Sequence, residues 1–213
     1  MRIIAGELRG RHIDAVPGDE TRPTTDRVRE AIASSVISNL ESGFEGTRAL
    51  DAFAGCGALG FEAISRGSAF CLMVDDSQRA VATIKANAKL LGIGRDSFSV
   101  VKGDAFALAR AGSIGSHSAP FDIVFLDPPY AIGYERVCEL ISNLEKHGLL
   151  ADGALIVYQC ANSAQPKRKK AHKERLRAGA DAMLEIIGDS FEYISTRIYG
   201  VTQVHYFAYN RPV

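Results

Sequence analysis

The chain has 213 residues, of which 46% are hydrophobic, and its 25 basic side chains are balanced by 25 acidic ones. This length fits one well-packed domain with a small appendage, since domains usually grow to roughly 250 residues before they split. No apolar run reaches the roughly 20 residues that cross a bilayer, and no apolar signal core begins the chain, so a cytoplasmic protein without a membrane partner is expected. The four cysteines are widely separated and lack Cys-x-x-Cys spacing, which predicts neither a metal site nor a disulfide framework.

Positive charge is concentrated in one segment. Residues 167–177 hold seven basic side chains against Glu174, a net charge of +6, so the rest of the chain carries −6. A net charge of zero argues against a nucleic-acid partner, because phosphate neutralisation needs an excess of Lys and Arg. The basic segment 167–177 makes a nucleic-acid partner possible despite the neutral total charge.

The first fifteen residues alternate around Arg-Gly and end before Pro17-Gly18, which predicts a short β-hairpin extension. We assign residues 1–20 to this extension and residues 21–213 to the main domain. A helix is predicted over residues 24–40, with Arg27, Arg29 and Glu30 outside its apolar stripe. The stripe recurs every four residues, at Val28, Ile32, Val36 and Leu40.

From residue 47 onward, strand and helix patterns alternate. Strands are predicted at residues 48–51, 69–74, 98–101, 121–126 and 154–158, and helices from about residue 58, from 77 to 92 and around 134–144. Residues 185–209 hold two strand-like stretches that predict a closing hairpin around Tyr199-Gly200. This alternation indicates an α/β fold with a mostly parallel sheet and helices on both faces.

A glycine-rich loop follows the first predicted strand and opens a helix. It runs from Asp51 to Gly60 and lets the backbone approach a ligand at a helix N-terminus. The Gly-x-Gly-x-x-Gly spacing also fits a dinucleotide fold. S-adenosylmethionine is favoured, because a carboxylate before the loop suits the cationic methionine amino group and would repel a pyrophosphate. The predicted contacts of the loop are Asp51, Phe53, Gly55, Gly57 and Gly60.

Two more acidic residues end the next two predicted strands. Asp75 is a candidate for holding ribose hydroxyls, and Asp104, followed by Ala105, for accepting a hydrogen bond from the adenine amine. Helix capping and plain turn positions are the structural alternatives for these acids.

The tetrapeptide Asp127-Pro128-Pro129-Tyr130 follows the apolar run 121–126. An exocyclic base amine is a weak nucleophile, because its lone pair is delocalised into the ring, so it must be held in an attacking geometry. Asp127 and the Pro128 carbonyl are suited to hold it, the two prolines fix the backbone, and Tyr130 offers a ring on which an extruded base can stack. The alternative is a strand that ends in a Pro-Pro turn with a buried tyrosine.

These motifs together resemble the class I S-adenosylmethionine-dependent methyltransferases, in the amino-methylating branch. A narrower resemblance lies in residues 2–11 and 21–31, which are similar to the start of the RsmD family of small-subunit ribosomal RNA guanine-N2 methyltransferases. The resemblance covers most of the chain and is weakest over residues 161–181.

The resemblance implies a Rossmann-like domain with a seven-stranded, mostly parallel sheet, acting on the exocyclic N2 of a guanine in 16S ribosomal RNA. It also implies Arg22 and Thr24 in the cofactor or base pocket, and RNA contacts from Arg2, Arg9 and Arg11. A monomer is the default expectation, and the division of charge into +6 and −6 suggests ribosomal RNA within a small-subunit particle as the substrate.

Other functions remain open at this point. A DNA adenine-N6 or cytosine-N4 methyltransferase would use the same tetrapeptide, but the chain lacks an insertion large enough for target recognition. A methyltransferase that acts on a protein glutamine is a further alternative, because its acceptor is also an amide nitrogen. A nicotinamide oxidoreductase leaves the tetrapeptide unexplained, and a cofactor-free RNA-binding module leaves the four strand-end acids unexplained.

Overall fold

The structure is a computed structural model that describes residues 1–18, 25–114, 119–162 and 179–212. The strands are β1 (Arg48–Asp51), β2 (Phe70–Asp75), β3 (Phe98–Lys102), β4 (Phe121–Leu126), β5 (Leu150–Ala161), β6 (Phe191–Tyr199) and β7 (Thr202–Tyr209). They form one seven-stranded sheet in the order β3-β2-β1-β4-β5-β7-β6. The strands β1 to β5 pair in parallel, whereas β7 pairs antiparallel with both β5 and β6. The predicted α/β fold with a closing hairpin is confirmed.

The helices follow the predicted alternation. They are α1 (Asp26–Asn39), α2 (Ala58–Ser65), α3 (Gln78–Leu91), α4 (Ala105–Arg110) and α5 (Tyr134–Lys146), and residues 179–187 are also helical. The Thr25 and Ser77 side chains cap α1 and α3, where each accepts a hydrogen bond from a first-turn amide. No helix in the described ranges is long and apolar enough to span a bilayer.

Helices cover both faces of the sheet. Leu50, Leu72 and Val124 point to one face, where they pack with α4, α5 and the helical residues 179–187. Their neighbours along the strands point to the other face, because side chains alternate along a strand, and pack there with α1, α2 and α3. A strand that is buried on both faces does not alternate between apolar and polar residues, which explains the apolar run from Ile123 to Leu126 in β4. Asp122, at the start of this strand, accepts a hydrogen bond from the Arg48 amide.

The N-terminal extension is packed against the main domain. A single antiparallel bridge joins Arg2 to His12, and Ile3 and Ile13 are fully buried in the core shared with α1 and α2. The Glu62 carboxylate of α2 accepts hydrogen bonds from two backbone amides of the extension, at Ile4 and Ala5. The expected hairpin is thus a loop closed by one bridge, and its position depends on α2.

Arg29 lies outside the predicted apolar stripe of α1, yet its side chain is fully buried. Its Nη2 donates to the Arg2 carbonyl and to Asp26 Oδ1, both at 2.8 Å, and its Nη1 lies 4.0 Å from Glu62 Oε2. A buried guanidinium is tolerated only where acceptors surround it. Asp26 lies on α1 itself, but the Arg2 carbonyl belongs to the extension and Glu62 to α2, so helical periodicity could not reveal this environment.

Candidate active site

A cavity of about 1030 Å³ lies at the carboxyl ends of the parallel strands. The strand order reverses between β1 and β4, and such switch points are where open α/β sheets bind ligands. Four acids at the ends of adjacent strands line it: Asp51, Asp75, Asp104 and Asp127. The tertiary structure therefore brings together residues that the sequence analysis selected from four separate segments.

Asp51 is the most deeply buried of these acids, with 1% of its surface exposed. Its Oδ2 accepts a hydrogen bond of 3.1 Å from the Gly60 amide, while its Oδ1 is buried without a partner. Burial, together with the negative charges of Asp127 and Asp75, raises the pKa of the Asp51 carboxyl to about 7. A carboxylate that has one unpaired oxygen and lies beside two other acids favours the binding of a positively charged group.

Asp75 holds the glycine-rich loop in place. Its Oδ2 accepts a hydrogen bond of 2.8 Å from the Gly55 amide, and its Oδ1 accepts one of 2.9 Å from the Ser77 amide. Asp75 also lines the cavity. The predicted ribose contact of Asp75 stays a prediction.

Asp104 is both a helix cap and a cavity residue. Its side chain accepts a hydrogen bond of 2.9 Å from the Phe106 amide at the start of α4. The rings of Phe53 and Phe106, with centroids 5.5 Å apart, stand beside it in the cavity wall, as does Ala105. Acceptors next to aromatic faces suit a flat heterocycle with an amine. Phe106 was missed in the sequence, because an aromatic residue in a short helix is typical of a core position.

The three glycines of the loop differ in what surrounds them. Gly55 has a φ of +55°, and a Cβ there would meet nothing within 4 Å, so this position lies open to the cavity. A Cβ at Gly57 would lie 2.6 Å from the Phe61 ring, and one at Gly60 would lie 2.5 Å from Met73 Cε. Gly57 and Gly60 do not line the cavity and serve the packing of α2 against β2. Of the three predicted ligand contacts, only Gly55 is placed for a direct one.

The tetrapeptide extends β4 into the cavity wall. Asp127 is half-buried, Pro128 is buried, and Pro129 is exposed. The Tyr130 side chain is 58% exposed, so the alternative of a buried tyrosine is wrong. Its hydroxyl lies 3.5 Å from Thr202 Oγ1. An exposed aromatic ring in a cavity wall is costly in water and suits stacking against a ligand.

Two parts of the wall were not predicted as site residues. The turn between β6 and β7, Tyr199 to Thr202, faces the tetrapeptide. Its Tyr199-Gly200 pair was noticed in the sequence only as a hairpin turn. The Gln159 side chain of β5 also lines the cavity, 1% exposed, with neither amide atom hydrogen-bonded. A lone glutamine in an apolar strand offers no sequence signal for this position.

The other predicted contacts lie either outside the described residues or on the N-terminal extension. Arg22, Thr24 and the basic residues 167–177 lie outside the described residues. Arg2 is paired with Asp26 at 3.2 Å, and Arg11 donates to the Leu90 carbonyl at 2.8 Å, so both have partners within the chain. Within the described ranges, no group of three or more His, Cys, Asp or Glu side chains is placed to hold a metal ion.

Similarity to solved structures agrees with this architecture. The Escherichia coli protein yhhF superposes with a TM-score of 0.74 at 26% identity, covering 100% of this chain and 99% of that one. A hypothetical protein of Thermus thermophilus gives a TM-score of 0.68 at 26% identity, covering 97% and 98% of the two chains. A SAM-dependent methyltransferase fold from Streptococcus mutans is also similar, with a TM-score of 0.65 at 15% identity over 84% of this chain and 48% of that one.

Sequence comparison identifies the family. The family described as Conserved hypothetical protein 95 matches residues 1–187. YlbH of Bacillus subtilis is 37% identical over 157 residues, which cover 74% of this chain and 80% of YlbH. Ribosomal RNA small subunit methyltransferase D of Escherichia coli K12 is 38% identical over 165 residues, which cover 73% of this chain and 72% of that protein. The predicted family is confirmed: the chain belongs to the RsmD family of small-subunit ribosomal RNA methyltransferases.

Proposed function

We propose that the protein transfers a methyl group from S-adenosylmethionine to the exocyclic N2 of a guanine in 16S ribosomal RNA. One observation carries the proposal: the open carboxylate oxygen of Asp51 and the Asp127-Pro128-Pro129-Tyr130 segment line one cavity at the switch point of the sheet. The first feature suits a cationic methyl donor and the second suits an amine acceptor.

The cofactor half of the site is the half formed by β1, β2 and β3. The buried Oδ1 of Asp51 lacks a partner and fits the methionine ammonium group. The backbone at Gly55 is open for close approach, Asp75 lines the cavity where ribose hydroxyls would lie, and Asp104 lies beside the rings of Phe53 and Phe106. The residues present therefore fit S-adenosylmethionine, which when bound supplies an electrophilic methyl group on its sulfonium.

The acceptor half is the half formed by the end of β4 and the turn after β6. Tyr130 offers its ring face to a base that has left its stack, and Asp127 with the Pro128 carbonyl accepts hydrogen bonds from the base amine. These acceptors orient the nitrogen lone pair toward the donor, and orientation accounts for most of the expected acceleration. Asp127 stabilises the positive charge that develops on the nitrogen, and the proton then leaves to Asp127 or to water.

The experiment that tests this function is transfer of a labelled methyl group to small ribosomal subunits from a strain that lacks the activity, followed by nucleoside analysis. We expect N2-methylguanosine in the 16S RNA. Naked 16S RNA and DNA serve as parallel acceptors, and higher turnover on the particle would support an assembled subunit as the substrate. Label only in DNA, or as N6-methyladenosine or N4-methylcytidine, would refute the guanine-N2 proposal.

A further inference from the structure

We propose that Gln159 recognises the edge of the target guanine and so orients its amine toward Asp127. This role rests on the proposed guanine-N2 activity and adds a specificity residue to the acceptor half of the site. Gln159 is 1% exposed, yet neither its Oε1 nor its Nε2 has a hydrogen-bond partner.

Buried amides in folded proteins are almost always hydrogen-bonded, because desolvating an unpaired polar group is costly. The unpaired amide of Gln159 is an exception that requires an explanation. Gln159 is a lining residue of the cavity, so its unpaired amide lies buried in the wall of the space that we propose for the ligand.

The sheet register places Gln159 beside the tetrapeptide. Strands β4 and β5 are parallel, and Leu126 pairs with Tyr158, so Asp127 and Gln159 each directly follow this paired position. Both lie on the sheet face to which Phe125 and Val157 point, because side chains alternate along a strand. The amide therefore stands on the acceptor side of the switch point, away from the acids of β2 and β3.

The chemistry of the amide matches guanine. The Watson–Crick edge of guanine presents the O6 acceptor, the N1–H donor and the N2 amine in one row. When Asp127 and the Pro128 carbonyl hold the N2 amine, the neighbouring N1–H is placed to donate to Oε1 of Gln159, and Nε2 is placed to donate to O6. A carboxylate and an amide side by side thus read three adjacent groups of one base.

The test compares Gln159→Leu, Gln159→Glu and the parent enzyme, with Gln203→Leu as the matched control. Gln203 is a buried glutamine of the neighbouring strand β7, but its amide is already paired with His205 Nε2 at 2.8 Å, and it does not line the cavity. Methyl transfer to small subunits, equilibrium binding of S-adenosylmethionine and the thermal midpoint are measured for each protein.

We expect Gln159→Leu to lower kcat/KM by roughly 30-fold, the effect of two lost hydrogen bonds, with cofactor affinity within about twofold of the parent. Its thermal midpoint should stay level or rise, because the change removes an unpaired buried amide. Gln159→Glu keeps an acceptor for N1–H and should fall between the leucine variant and the parent. Gln203→Leu should show the opposite pattern, with a lower thermal midpoint and nearly unchanged kcat/KM.

Three results for the Gln159→Leu variant would overturn the inference. A kcat/KM of Gln159→Leu within about twofold of the parent would remove any role in recognition. A parallel loss of cofactor affinity would assign the amide to the donor, and a clearly lower thermal midpoint would make it a structural residue. The product of the parent enzyme reports separately on the proposed function: N2-methylguanosine with an unaffected leucine variant refutes Gln159 alone, whereas another methylated nucleoside refutes the guanine assignment and the recognition of its edge together.

Discussion

Buried polar groups are treated differently in two regions of the sheet. In the outer antiparallel pair, His205 is enclosed and its ring nitrogens lie 2.8 Å from Thr196 Oγ1 and from Gln203 Nε2. At the carboxyl ends of β1 and β5, the buried side chains of Asp51 and Gln159 keep atoms without partners. All these polar side chains except that of Thr196 are buried, so the contrast does not come from exposure.

The difference separates stability from function. A paired polar network lowers the cost of burial and fixes strand pairing, whereas an unpaired group raises that cost unless a ligand completes it. Changes in the paired network should therefore act on folding, and changes at the cavity on turnover and binding.

The largest effect is expected on catalysis. Asp127→Ala should lower the rate of methyl transfer by about 10³-fold, or roughly 4 kcal/mol, because it removes both an acceptor for the amine and the charge that stabilises it. Single-turnover transfer to small subunits measures this, and cofactor affinity should change little. Asp189→Ala, at an exposed aspartate before β6, is the matched control. A rate within about tenfold of the parent would exclude this role for Asp127.

The paired network should show its effect in acid. Burial lowers the pKa of His205 from 6.5 to about 4. The folded protein therefore binds this proton less readily than the unfolded chain, so the stability that His205 contributes is present above pH 6.5 and is lost as the pH falls toward 4, by roughly 3 kcal/mol.

Denaturant unfolding at pH 7 and pH 4 measures this loss. His205→Gln should weaken the pH dependence, since glutamine does not titrate in this range. His147→Gln, at an exposed histidine, should leave it unchanged. Equal pH dependence in all three proteins would show that another group governs acid unfolding.

The glycine-rich loop offers an intermediate effect. Gly57→Ala should reduce the free energy of unfolding by about 2 kcal/mol more than Gly92→Ala, as measured by denaturant unfolding. Both glycines have positive φ, +85° and +74°, so the backbone strain is shared. Only at Gly57 would the new Cβ meet a side chain, 2.6 Å from the Phe61 ring. Equal destabilisation by the two changes would show that Phe61 moves aside freely.

The smallest effect is expected at Asp51. Asp51→Asn should weaken binding of S-adenosylmethionine by roughly tenfold above about pH 8, or about 1.4 kcal/mol, because an ammonium group loses its carboxylate. Since the pKa of Asp51 is raised to about 7, the affinity of the parent should increase as the pH rises through this value, while that of the variant should stay flat. Titration calorimetry across this range measures both.

The same substitution should stabilise the cofactor-free protein. The folded pKa of Asp51 is above its ordinary value of 3.8, so the contribution of this group to stability decreases as the pH rises from 3.8 to about 7. Asp51→Asn should therefore unfold at a higher temperature than the parent in mildly alkaline buffer. A lower unfolding temperature would mean that the carboxylate is needed by the fold itself.

Much of the architecture could be predicted, because it depends on local signals. Strand and helix alternation and the turn at Tyr199-Gly200 could be predicted from periodicity and turn residues. The burial of Arg29 could not be predicted, since two of its three polar neighbours, the Arg2 carbonyl and the Glu62 carboxylate, are distant in sequence. The role of Gln159 could not be predicted for the same reason, because whether its amide has hydrogen-bond partners depends on the residues that surround it in the fold.

The sequence by itself determined the order of the elements, the RsmD-like motifs and the acids that follow the parallel strands. These features depend on residue type and spacing along the chain, which fix local conformation and which strand ends carry a charge. Only the tertiary structure decided that Gly57 and Gly60 serve packing while Gly55 faces the cavity, and that Gln159 lines the same cavity as Asp127 with an unpaired amide. Burial and hydrogen-bond satisfaction are set by contacts between distant segments, and those contacts exist only once the sheet has formed.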